Sequence, residues 1–160
     1  MRFLLLSLFS ALLLTPLPAQ TAMPAEVKKE ILTFMATMNQ AALTCKAEVA
    51  SVDSAPAMAA ALNRYIGAIE PATQRMQAVR QTYRSFFDAA EQEPGKGLDD
   101  PELEKASKTL EATMTGMAAT MAKAAQWLGH PQVKQALDRL ENLMGGLDGA
   151  DADAGDEEGE

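Results

Sequence analysis

The chain has 160 residues, 48% of them hydrophobic, 22% charged and 5% aromatic, with a formal charge of -8 and a sequence pI near 4.7. That length suits one domain with enough apolar mass for a core. The acidic balance argues against nucleic acid as a partner, the single cysteine excludes a disulfide scaffold, and the single histidine excludes most zinc chemistry.

Met1-Arg2 makes a short positive start, and Phe3 to Leu14 is an apolar run of the length a secretory leader uses. Thr15-Pro16-Leu17-Pro18-Ala19 then breaks the run and presents small residues, so residues 1–19 read as a cleaved signal peptide, with Ala22 as the second choice of cleavage site. The apolar run is shorter than the roughly 20 residues a membrane span needs. No integral membrane segment is therefore expected after leader cleavage. The alanine-rich composition suits a bacterial periplasmic or secreted protein. In an oxidising compartment a lone Cys45 must be buried, metal-bound or paired between chains, and burial as a small hydrophobe is the reading taken.

From Pro24 to Val52 the pattern is helical. Ile31, Met35, Met38, Ala42, Cys45, Val49 and Val52 alternate spacings of four and three, a heptad seam. Asp53-Ser54-Ala55-Pro56 interrupts it. The second segment, Pro56 to Gln92, carries Leu62, Ile66, Ile69, Met76, Val79, Tyr83, Phe86 and Ala90 in phase across Pro71, which predicts one helix kinked at that proline. Glu93 to Gly97 reads as a loop.

The third helix has the clearest start: Asp100 can cap it and Pro101 can take its first position. Its seam reads Leu103, Ala106, Leu110, Met114, Met117, Met121, Ala124 and Leu128. Gly116, Ala118, Ala119 and Ala122 make its other faces small. Gly129-His130-Pro131 ends it, and a short fourth helix runs from Pro131 to Met144, stopped by Gly145-Gly146. No segment alternates with the period of a strand.

The fold class expected is all-α: an up-down antiparallel helical bundle of three long helices and a short fourth, over residues 20–147. Residues 148–160 hold seven acids and no base, an acidic tail expected to be disordered, and the body before it is close to neutral. The tail is no EF-hand loop, because Asp156 stands where that loop requires glycine.

Sulfur is the pattern above background. Nine methionines follow the leader, and Met114, Met117 and Met121 form one stripe on the third helix. If the first and third helices both rise, counting about 1.5 Å per residue sets Cys45 level with Met121, and Met38 level with Met114. Thioether and thiolate select Cu(I). A Cu(I)/Ag(I) site of Cys45, Met121, Met117, Met114, Met38 and Met35 is thus the alternative to plain core packing, in which methionine fills gaps beside alanine. A noncovalent haem site using His130 and a methionine is a further alternative, although no Cys-x-x-Cys-His motif is present.

A Cys45–His130 catalytic pair is opposed by the layer count, which sets His130 at the bundle end. Arg75, Arg80 and Arg84 around Tyr83 make a basic face suited to an anionic partner or simply to solvent. Trp127 reads as a cap on the bundle. The sequence carries no phosphate loop, nucleophile elbow or paired catalytic carboxylates. The functional expectation is a non-enzymatic binding or accessory protein of the cell envelope, without a cofactor, contacting a protein partner or a second copy of itself.

Overall fold

The computed structural model describes residues 23–92 and 100–148. The leader, the loop expected at Glu93–Gly97 and the tail beyond Asp148 lie outside the described residues. Five helices make up the fold: α1 (Ala25–Ala50), α2 (Ala55–Thr82), α3 (Arg84–Gln92), α4 (Pro101–Ala125) and α5 (Pro131–Asp148). No strand occurs among the described residues, and none of the described helices is long and apolar enough to cross a membrane. The chain is an all-helical bundle.

Each helix starts where local chemistry allows. Pro24 accepts from the Lys28 amide at 3.0 Å, with Glu26 in the first turn, where negative charge is favoured. Pro56 lies at the start of α2. The Asp100 carboxylate accepts from the amides of Glu102 and Leu103 and opens α4 with Pro101 beside it, as the sequence leads one to expect.

The α1–α2 hairpin is antiparallel. Glu48 near the end of α1 meets Arg64 early in α2, and Glu30 near the start of α1 meets Arg75 late in α2. Its core is made of residues with little bulk to spare. Met58, Leu62, Ile66 and Ile69 are fully buried, packed with Met38, Cys45 and Val49 and spaced by Ala41, Ala42, Ala59 and Ala61. Burying one large aliphatic side chain of this kind contributes about 1.5–3 kcal/mol.

The packing partners differ from a simple meander. α4 lies against α1, and α5 lies against α2, whereas α2 and α4 do not form a close pair. The Thr113 hydroxyl donates to Asn39, and the Lys123 ammonium donates to the Val49 and Ala50 carbonyls. At the other end Lys28 pairs with Asp100 and Glu102. α4 therefore runs parallel to α1, clasped at both ends. Lys123 also supplies the positive charge that the last turn of α1 lacks in its own sequence.

Three expectations about the helices need correction. α2 runs through Pro71 as one helix, as expected, but it ends at Thr82 instead of continuing to Gln92: the break falls at Tyr83, where the amides of Phe86 and Phe87 both return to the Tyr83 carbonyl. Pro71 can give no amide to the Gly67 carbonyl, but both residues are exposed, so that group is free to be hydrated. At Tyr83 the phenol is anchored 2.7 Å from Glu26, and the chain turns there to bury Phe86 and Ala90. α5 continues past Gly145 and Gly146 to Asp148, because glycine permits a helix to end without obliging it to. α4 stops at Ala125, so Leu128 lies in the following turn and is exposed.

Asp100 gives a pH-linked prediction. The Lys28 ammonium beside it, with the two amides it caps, holds its carboxyl below the usual carboxylate range. Its contribution is present above the ordinary value near 3.8 and is lost as pH falls through the depressed one. Asp100→Ala is expected to lower the melting temperature at neutral pH, to blunt its fall on acidification, and to speed amide exchange at Glu102 and Leu103.

Candidate functional site

The sulfur residues are brought together in part. Met38, Cys45 and Met117 are buried in one cluster, and Met121 packs on its edge. Met35 is half-buried on α1. Met114 is 37% exposed and does not belong to the cluster, although the adjacent Thr113 meets Asn39 of α1. The register is also shifted. The Asn39–Thr113 and Val49–Lys123 partners are 74 positions apart, two fewer than the levels of Cys45–Met121 and Met38–Met114 require, or about 3 Å along the axis.

Burial pushes the Cys45 thiol up to about 11, with Glu48 adding to the shift and Arg64 opposing it. The buried group is a thiol, and forming a thiolate, as a soft-metal ligand or a nucleophile, must overcome that cost. The stability linked to this proton is complete below the unfolded value of 9.0 and is lost as pH rises through about 11. Alkylation of native Cys45 at mildly alkaline pH is expected to run at least about a hundredfold slower than in the denatured chain, as quenched mass spectrometry would show.

The remaining candidates resolve plainly. His130 is exposed in the turn before α5, its ring 5.5 Å from that of Trp127. Trp127 packs on the buried cluster, the capping position expected of it. The arginine face is engaged within the chain. Arg75 reaches Glu30 at 2.6 Å, Arg84 reaches Asp88 at 3.7 Å, and the Arg80 guanidinium lies 5.9 Å from the centre of the Phe87 ring. Among the described residues no group of three His, Cys, Asp or Glu side chains is placed to hold a metal ion.

Two features lie beyond what the stripes of the sequence indicate. The first is the seam between α4 and α5. Consecutive in the chain, these helices are not a closely packed pair, yet both face the same core. Leu110 and Met121 from α4 and Leu137, Leu140 and Met144 from α5 pack on it and remain half-buried.

The second is a groove of about 520 Å³ on the α1–α2 pair, with Ala41, Cys45, Tyr65 and Ala68 among its lining and the Glu48–Arg64 pair beside them. Tyr65 is 4% exposed and stands beside the leucine–isoleucine stripe of α2 rather than in it. Its phenol is raised from the ordinary value by burial and then by the neighbouring Cys45.

Thr73 is a third detail. Its hydroxyl is fully buried and has no hydrogen-bond partner among the described residues. An unsatisfied buried hydroxyl is destabilising. Thr73→Val is expected to raise stability by about 1 kcal/mol in urea unfolding.

No protein-family model matches the chain, and neither the curated proteins nor the solved structures yield a match. The fold and the surface alone therefore support a functional reading. The described residues form a helical bundle with half-buried apolar side chains on α4 and α5 and a groove on the α1–α2 pair.

Proposed function

We propose that this chain is an exported, non-enzymatic helical bundle that acts by contact, as a binding or accessory protein of the cell envelope, periplasmic or secreted. The observation that carries the reading is the α4–α5 seam. Large aliphatic and thioether side chains there are half-buried, and Met114 beside them is exposed. Partly exposed apolar side chains on two helices that do not close on each other suit a contact site. The outer faces of the same helices carry exposed ion pairs, Lys108–Glu104 and Lys134–Asp138.

A photoreactive side chain placed at Met114 tests this in an envelope extract and in purified protein. Cross-links from Met114 to one protein, or to a second copy, that vanish in Leu140→Glu support the reading. A protein that sediments as a monomer and gives no specific cross-link at Met114 overturns it.

The competing reading is a Cu(I)/Ag(I) site, favoured by the joint burial of Met38, Cys45 and Met117 with Met121 at the edge. Titration with Ag(I) under reducing conditions separates the two. The contact reading expects no stoichiometric adduct and an unchanged melting temperature. An adduct lost on combining Cys45→Ala with Met121→Ala would establish the metal site instead. Absorbance of the purified protein in the Soret region tests the haem alternative in the same sample.

A further inference from the structure

We propose that the α1–α2 groove is a binding site for a small amphiphile, an apolar body bearing a carbonyl or carboxylate oxygen that accepts from the Tyr65 hydroxyl. The groove is lined by residues of α1 and α2 alone, so this site is separate from the α4–α5 seam. Its volume of about 520 Å³ lies within the range of small-molecule sites, about 300–1,000 Å³. The room comes from alanine: Ala36, Ala41 and Ala68 stand where longer side chains would fill it.

The donor inventory sets the chemistry. The hydroxyls of Thr37 and Thr44 donate to the carbonyls of Thr33 and Gln40 and are committed to their own helix. Arg64 gives its Nε–H to both oxygens of Glu48, and this pair is neutral as a unit. Tyr65 differs. More than nine-tenths buried as a residue, it lines the groove and makes no side-chain hydrogen bond to another described residue; among the described residues only the Thr73 hydroxyl is both fully enclosed and unpaired, so the Tyr65 oxygen keeps an opening to solvent. A phenol oxygen at such an opening takes water or a ligand as its partner. An uncommitted hydroxyl in the lining of a mainly apolar concavity suits an acceptor on a mainly apolar guest. The guanidinium beside it, paired with Glu48 through Nε, retains further N–H groups, and the pairing offsets the repulsion a lone carboxylate side chain would exert on an anionic guest.

Cys45 in the same lining reports on occupancy. The probe is decanoate, kept below its aggregation concentration, added to the full chain as purified. The readout is the rate at which a small neutral maleimide modifies Cys45. Saturable slowing is expected. Tyr65→Phe keeps the buried ring and is expected to weaken half-saturation by about three- to tenfold. Ala68→Trp fills the groove from an exposed helix position and is expected to abolish protection with the helical circular dichroism unchanged. An unaltered modification rate in the parent chain overturns the proposal, as does equal protection of the Ala68→Trp variant. Decanamide in place of decanoate shows whether the oxygen must be charged, and protection by either supports the site. Leu140→Glu, which disables the seam, is expected to leave this protection in place, so the two proposals fail separately.

Discussion

Leu62→Ala is expected to lower the free energy of unfolding by about 2–5 kcal/mol, the range for truncating a large aliphatic side chain in a packed core. Leu62 is fully buried on α2, the helix that contacts both α1 and α5, so several elements border the space it leaves. Collapse into that space would have to draw in α1 with Cys45 and Val49, and α5 with Val133, all of them nearly fully buried already. Urea unfolding should show a lower midpoint with an unchanged slope. A loss below about 0.5 kcal/mol, typical of surface positions, would mean that the hairpin core is not packed as described.

Arg75→Ala is expected to cost about 1–3 kcal/mol, and more than Glu30→Gln, because it strands a carboxylate already withdrawn from water. The asymmetry follows from exposure. The Glu30 side chain is 8% exposed, whereas that of Arg75 is 66% exposed. Removing the arginine leaves a buried acceptor without its donor, while the amide in Glu30→Gln keeps an oxygen that Arg75 can still reach. A double-mutant cycle measures the coupling. Equal losses in the two single variants would show that Glu30 is hydrated despite its burial.

Much of the α1–α2 hairpin can be read from periodicity alone. Met38, Ala42, Cys45 and Val49, and then Leu62, Ile66 and Ile69, are buried as their spacing requires. Three-and-four spacing reports a face that is covered along its whole length, and these two helices are covered by each other. The same logic overreaches on α4, where Met114 and Leu128 satisfy the spacing but lie exposed. Contact with α1 shields one face of α4, and no other described helix forms a close pair with it.

What the sequence conceals is non-local. The Glu30–Arg75 and Thr113–Asn39 contacts join residues 45 and 74 positions apart. No local pattern signals them, just as none announces that α4 will settle beside α1 rather than beside α2. Tyr65 escapes notice for a related reason. It lies one residue from the stripe, and its significance depends on a neighbour, Cys45, contributed by another helix. The sulfur stripe errs in the opposite direction, since spacing groups Met114 with Met117 and Met121 although burial separates them.

The clasp between α1 and α4 has a kinetic corollary. The first two helices meet across a turn of a few residues, whereas α4 must close a far longer stretch of chain before its contacts with α1 form, and that closure is entropically dearer. The hairpin is thus the natural early scaffold and α4 a late arrival. Reversed in time, the same order makes α4 a cooperative unit that detaches first. Hydrogen–deuterium exchange should then record earlier opening of α4 than of the hairpin, and each such excursion would uncover Met117 and Thr120 to solvent while the scaffold stays folded.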